Sequence, residues 1–223
     1  MRYLKNGLKR TKKTMRVWGN RYSRDLQRYS LALRMIEHEA RTQTICAWTG
    51  LPADRIATLY ECYVSEHGQR HIVRHRGPPP QRLSLLLRPV RMRSEAAAMA
   101  GLCRLLEVIP GDALPNARRE LPGLARGERL CQAFEIYRSL VPDSELTFDH
   151  VVLLITAVAE GKDLRLSQCV GCGGAIVTDK NGANRRSCVH CSNESAHRAP
   201  EVLSSIGYTP PSRVADGTQQ ALF

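Results

Sequence analysis

Cys169 to Cys191 reads C-V-G-C-G-G-A-I-V-T-D-K-N-G-A-N-R-R-S-C-V-H-C, two C-x-x-C pairs with fifteen residues between them. No other stretch restricts the fold so tightly, because this spacing closes four thiolates around one zinc ion in a short ribbon or knuckle. Gly171, Gly173 and Gly174 give the first pair the backbone freedom that a tight turn needs. Ala175 to Thr178 reads as a short strand and Asp179 to Gly182 as a hairpin turn, so the metal is expected at the open end of a small hairpin. A disulfide knot would need an oxidising compartment, and the chain opens Met-Arg-Tyr-Leu-Lys rather than with an apolar export segment. An iron-sulfur cluster also takes four thiolates, but Gly-rich knuckles at this spacing favour zinc. With four Cys present, His190 and His197 are expected near or outside the site rather than in it. A closed four-thiolate site has no vacancy at which to activate water, so Cys169, Cys172, Cys188 and Cys191 are read as ligands of a single structural Zn2+ whose binding folds a small lobe.

A formal charge of +12 over 223 residues directs attention to an anionic partner: nucleic acid, a membrane surface or an acidic protein. The sequence has no apolar run long enough to span a bilayer, and the expected compartment is a reducing cytoplasm. Cys46, Cys62, Cys103 and Cys131 lie singly in apolar contexts and read as small buried hydrophobes.

The expected fold class is mainly α: a helical domain with a helix-turn-helix-like segment, plus the small C-terminal four-Cys zinc lobe. The layout is a basic flexible arm over 1–24, a helical DNA- and partner-binding domain over 25–164, the zinc lobe over 165–192 and a disordered tail over 193–223. The arm carries nine Lys or Arg and no acid, and reads equally as a segment that orders on a phosphate backbone and as a solvated tail that binds nothing specifically. From Asp25, the residues Leu26, Tyr29, Leu33, Ile36 and Ala40 recur at helical spacing, in a helix expected to run on to Trp48. Thr49-Gly50-Leu51 breaks it, and Pro52 opens a second helix with Ile56, Leu59 and Tyr60 inward. That is the layout of a helix-turn-helix, with Arg55 and Thr58 facing a groove; a plain helical hairpin has the same pattern.

Between Glu66 and Glu95 there is no acid, while Arg70, Arg74, Arg76, Arg82, Arg88, Arg91 and Arg93 follow one another. Gly77-Pro78-Pro79-Pro80 denies helix there, so an extended, phosphate-tracking segment is expected, with a solvated loop as the bland reading. Further helices are expected over Glu95–Glu107 (inward Ala98, Leu102, Leu105 and Leu106), Leu130–Leu140, and Phe148–Ala159, the last the most buried and ended by Gly161. His38, between Glu37 and Glu39, is expected as a surface salt-bridge partner. No catalytic constellation is present: there is no phosphate-gripping Gly loop with Lys, no G-x-S-x-G, no H-E-x-x-H and no deaminase H-x-E. The chain is therefore not expected to be an enzyme.

The order of these features resembles a known family. Ala40-Arg41-Thr42-Gln43, then Thr49-Gly50-Leu51 and Arg55-Ile56-Ala57-Thr58-Leu59-Tyr60, are similar to the start of FlhC, the larger partner in the flagellar master transcriptional regulator. Arg76-Gly77-Pro78-Pro79-Pro80 resembles that family's proline-rich segment, and the Cys quartet with Gly173-Gly174 resembles its zinc site. The resemblance spans about residues 26–192 and implies a DNA-binding activator. Such an activator joins a small helical FlhD-like partner in a hetero-oligomer on double-stranded DNA and recruits RNA polymerase. It carries the zinc ligands over to the four cysteines and transfers no base contact; the basic stretch before Asp25 is longer than the family's pattern. FlhC-like regulators also occur on conjugative elements, so both flagellar and transfer genes fit as targets. The alternative from another class is a zinc-ribbon adaptor that binds protein or RNA without reading DNA.

Overall fold

A computed structural model describes residues 8–66, 72–109, 121–180 and 186–192. The architecture is mainly helical. Among the described residues the elements run α1 (Leu8–Glu37), α2 (Thr42–Thr49), α3 (Ala53–Glu66), α4 (Ser84–Leu87), α5 (Val90–Leu105), α6 (Leu124–Leu140) and α7 (Phe148–Glu160), followed by β1 (Leu164–Gln168) and β2 (Ala175–Asp179). The expected tail 193–223, Arg70 and His197 lie outside the described residues.

The core is aliphatic, with Leu31, Met35, Ile36, Ile45, Ile56, Met99, Leu130, Leu154 and Ile155 fully buried around Phe148. α1 begins at Leu8, so residues 8–24 continue the helix expected to start at Asp25. Lys and Arg are good helix formers, and a run of them extends a helix that the core has already nucleated. The inward face is wider than the expected one and rotated from it: Ile36 and Ala40 are fully buried as expected, Leu31, Ala32 and Met35 are buried as well, Tyr29 and Leu33 are partly buried, and Leu26 is 59% exposed. The reason lies on α6, where Gly127 has no side chain and the Leu31 methyls fill its place; a Cβ there would sit 2.6 Å from Leu31 Cδ2. Periodicity sees two apolar stripes on α1 and cannot rank them.

Nor does α1 run on to Trp48. Glu39 takes a left-handed φ of 57°, with Glu39 N–H on the Ile36 carbonyl at 2.9 Å and Ala40 N–H on the Met35 carbonyl at 3.0 Å. This is a Schellman-type stop made without glycine. The same device ends α5: Glu107 has φ 56°, and Val108 N–H reaches the Cys103 carbonyl at 2.8 Å. α5 therefore starts and stops earlier than expected and turns inward Met92, Ala96, Met99, Ala100 and Cys103, leaving Ala98 and Leu105 exposed. α6 starts at Leu124, six residues before the expected Leu130. α7 matches its expectation; Thr147 and His150 form a capping box at its start and Gly161 ends it.

β1 and β2 pair antiparallel with Leu166 opposite Val177. The first C-x-x-C occupies the connection between them; the turn expected over 179–182 runs into residues 181–185, which lie outside the described set. β1 was not foreseen because L-R-L-S-Q is short and buries only Leu164 fully. The pair rests mainly on α5, and β1 also touches α7. Among the described residues, no helix is long and apolar enough to cross a membrane.

Candidate metal centre and nucleic-acid interface

The connection after β1 folds back on itself. Cys169 N–H donates to the Gly174 carbonyl at 2.8 Å and Gly173 N–H to the Cys169 carbonyl at 2.9 Å, forming the first knuckle. Val170 N–H donates to the Arg186 carbonyl at 2.9 Å, which brings the second pair alongside, and 189–192 make one helical turn with Ser192 N–H on the Cys188 carbonyl at 3.0 Å. The four Sγ atoms of Cys169, Cys172, Cys188 and Cys191 then lie within 4.8 Å of one another. Cys172 Sγ and Cys188 Sγ are 3.8 Å apart. Four sulfurs about 2.3 Å from a common centre define a tetrahedron with edges of about 3.8 Å, so the donor set fits a tetrahedral metal ion.

Backbone dipoles converge on this group. Cys188 N–H donates to Cys169 Sγ at 3.2 Å and Gly171 N–H at 3.4 Å, and Cys191 N–H donates to Cys188 Sγ at 3.3 Å. The Cys188 and Cys172 amides pull the Cys169 thiol down to about 6, so one ligand is held near its thiolate form. Cys169 is buried, whereas Cys172 is exposed at the rim. Gly171 is closely packed: a Cβ there would stand 3.0 Å from Cys191 Sγ and 3.2 Å from its Cβ, so any side chain would have to displace that ligand by a few tenths of an ångström. His190 is exposed.

At the other end of the helical body, Gly50 with φ 70° ends α2, and Arg55 and Thr58 lie on the exposed face of α3, as expected of the helix-turn-helix-like segment. An acid that no local pattern marked sets the start of α2. Asp149 of α7, 4% exposed, accepts from Thr44 Oγ1 at 2.5 Å and from Arg41 N–H at 3.3 Å, and faces the Arg41 guanidinium at 3.3 Å. A carboxylate suits this position at a helix N-terminus.

The arginine-rich segment divides in two. Over residues 72–82 it is irregular and packed on α3: the Arg74 guanidinium lies 5.0 Å over the Tyr60 ring, Arg41 Nη1 donates to the Arg76 carbonyl at 2.8 Å, and Glu39 accepts from Val73 N–H at 3.0 Å and faces His75 at 3.4 Å. Arg74, Arg76, Arg82 and Arg88 are exposed. From Val90 onward the expected extended backbone is helix instead, so Arg91 and Arg93 belong to α5. Arg91 Nε pairs with Glu95 at 2.9 Å, its Nη1 faces Glu145 at 3.6 Å, and its Nη2 donates to the Asp143 carbonyl. It fastens α5 to the α6–α7 loop, with its side chain still 55% exposed. Arg93 lines a cleft of about 360 Å3 between α5 and the metal lobe, together with Ile176, Arg186 and Val189.

His38 also departs from expectation. Its ring stacks 5.7 Å from Phe148 and lies edge-on 5.2 Å from Phe134, while Nε2 meets Glu135 Oε1 at 3.0 Å. It is a hydrogen-bond partner of Glu135 inside the fold rather than a surface salt bridge. Of the four single cysteines, Cys103 and Cys131 are buried, their thiols pushed up to about 12 by burial; Cys46 is half-buried and Cys62 exposed. No protein-family model and no curated protein matches the chain.

Proposed function

We propose that this chain is a DNA-binding transcriptional activator of the FlhC kind. It acts in the cytoplasm in a hetero-oligomer with an FlhD-like helical protein and brings RNA polymerase to flagellar or mobile-element transfer promoters. Its four thiolates hold one structural zinc ion, and it catalyses no reaction. The observation that carries this reading is the arginine-rich segment fastened against α3: Arg74 over Tyr60, and the Arg76 carbonyl on Arg41. Arg74, Arg76, Arg82 and Arg88 are exposed, as are Arg55 and Thr58, and exposed groups of this kind suit contact with phosphate. Charge of this kind supplies phosphate affinity, and a few side chains with DNA shape supply preference. Zinc supports the arrangement by closing the lobe on α5, a role that needs tetrahedral geometry and no open position.

The test is mobility shift of the full, metal-loaded chain on duplex promoter fragments from its host across a salt series, alone and with the small helical protein that co-purifies with it. The expected result is a preference for one fragment that persists as salt rises. Loss of all binding with a steep salt slope and no preference would leave a polyanion-binding adaptor instead.

A further inference from the structure

We propose that Cys172 is an oxidation site: a hydroperoxide oxidises its sulfur, Cys188 resolves it, and the resulting disulfide closes the lobe in place of the metal. This rests on the reading of the four cysteines as ligands and is independent of DNA binding. The four sulfurs are unequally placed. Cys169 is buried, Cys188 and Cys191 are half-buried, and Cys172 is exposed. Cys172 stands among Gly171, Gly173 and Gly174, none of which has a side chain to cover it. At Gly174 a Cβ would lie 3.3 Å from Cys172 Sγ, and at Gly173 a Cβ would meet nothing within 4 Å, so the approach to this sulfur is open. Cys169 is hindered twice, by its burial and by the Cys188 and Gly171 amides that donate to its Sγ at 3.2 and 3.4 Å. Such bonds stabilise a thiolate and make it a weaker nucleophile. Metal coordination keeps all four sulfurs deprotonated, so access decides which of them a small oxidant reaches first.

Distance sets the resolving partner. Cys188 Sγ lies 3.8 Å from Cys172 Sγ, across the two knuckles, and an S–S bond of about 2.05 Å needs them to approach by roughly 2 Å. Cys188 and Val189 line the cleft against Arg93 and Ala97 of α5, so a bridge from Cys172 to Cys188 keeps the second knuckle seated on the helical body. The chemistry runs in two steps. The Cys172 thiolate attacks one oxygen of hydrogen peroxide, the O–O bond breaks, and the leaving hydroxide takes a proton to become water; Cys172 is left as a sulfenic acid. The Cys188 thiolate then attacks the Cys172 sulfur, the S–S bond forms, and the expelled hydroxide takes a second proton. Two thiolates have given up two electrons, peroxide has gained them as two waters, and a metal ion left with only Cys169 and Cys191 is released. A dithiol reverses the bridge by exchange.

The test treats the full, metal-loaded wild-type chain with hydrogen peroxide in slight molar excess. Released metal is followed with a chromogenic chelator, sulfenic acid is trapped with dimedone after brief exposure, and disulfides are mapped by alkylation and non-reducing peptide mass spectrometry. The expected results are a first dimedone adduct on Cys172, then a Cys172–Cys188 bridge with one metal ion lost for each bridge formed, and Cys169 and Cys191 open to alkylation. Dithiothreitol with added zinc should restore the starting state. The Gly171 and Cys191 amides should keep more protection from hydrogen exchange in the oxidised, metal-free chain than in the reduced, chelated one. The proposal is overturned if peroxide leaves the metal bound, or if the first adduct falls on another of the four cysteines. It is equally overturned if the bridge joins Cys169 to Cys172 or Cys188 to Cys191, if sulfinic acid forms without a bridge, or if oxidised and reduced metal-free chains lose protection alike. Elemental analysis of the starting sample separates the two failures: no metal sinks the ligand reading, whereas a metal-loaded sample without the Cys172–Cys188 bridge sinks this proposal alone.

Discussion

Asp149 Oδ1 accepts a 2.5 Å hydrogen bond from Thr44 Oγ1, so the first turn of α7 supplies the acid that seats the first turn of α2. Replacing it with Ala leaves the Thr44 hydroxyl and the Arg41 amide without their partner in a site 4% exposed. Asp149→Ala is therefore expected to destabilise the fold by about 3 kcal/mol. Asp149→Asn keeps an acceptor and is expected to cost about half of that. Urea unfolding at neutral pH measures both; equal losses would show that the negative charge, and not the hydrogen bond, sets the position of α2.

The His38 and Glu135 pair gives stability a two-step dependence on pH. Burial holds the His38 pKa below its usual 6.5, against the pull of Glu135, and the hydrogen bond from Arg34 holds the Glu135 carboxyl below its usual 4.5. Each group binds its proton more readily in the unfolded chain, so each contributes stability that is full above the unfolded value and lost as pH falls through the folded one. A plateau above pH 6.5, a decline below it, and a steeper decline below 4.5 are expected. In His38→Gln the upper step should vanish while the lower one stays. Urea midpoints across the acid range read this directly, and an upper step that survives the substitution would assign it to another group.

How much the sequence discloses depends on whether the deciding contact is local. The Cys quartet, the stop at Gly50 and the buried stripe of α7 are readable because spacing, turn chemistry and periodicity lie within a few residues of their effect. The breaks after Glu37 and Leu105 are not, because Glu39 and Glu107 take a conformation that glycine or asparagine usually marks. The inward face of α1 depends on Gly127, far away on α6, and the fate of Arg91 depends on Glu95, Asp143 and Glu145 meeting it from two directions. A count of arginines cannot separate one that fastens the fold from one that faces solvent.

That separation can be tested. Arg74→Ala, Arg76→Ala and Arg82→Ala combined should weaken duplex DNA binding and lower the slope of log affinity against log salt by about 0.9 for each phosphate contact removed. Arg91→Ala should instead lower the thermal midpoint, by freeing Glu95 from its 2.9 Å partner, while the salt slope is unchanged. A triple variant with the wild-type slope would mark the segment as solvated, and a reduced slope in Arg91→Ala would return that residue to the interface.

Metal removal should act on one end of the molecule. Cys169 receives the Cys188 and Gly171 amides at 3.2 and 3.4 Å, and the Cys191 amide meets Cys188 Sγ at 3.3 Å, geometry that persists only while the sulfurs are held together. Chelation is expected to speed hydrogen exchange at these amides first, while α6 and α7, whose cores around Leu130 and Leu154 do not involve the site, keep their protection. Cys169→Ser and Cys172→Ser should each weaken metal binding by more than about hundredfold, since even loss of a group that merely orients a ligand costs ten- to hundredfold. Only Cys169→Ser should also loosen the β1–β2 connection with metal in excess, because Cys169 is buried and carries two of the amide bonds, whereas Cys172 stands exposed at the rim. Full amide protection after chelation, checked by elemental analysis of the same sample, would mean that the lobe folds on its contacts with α5 alone.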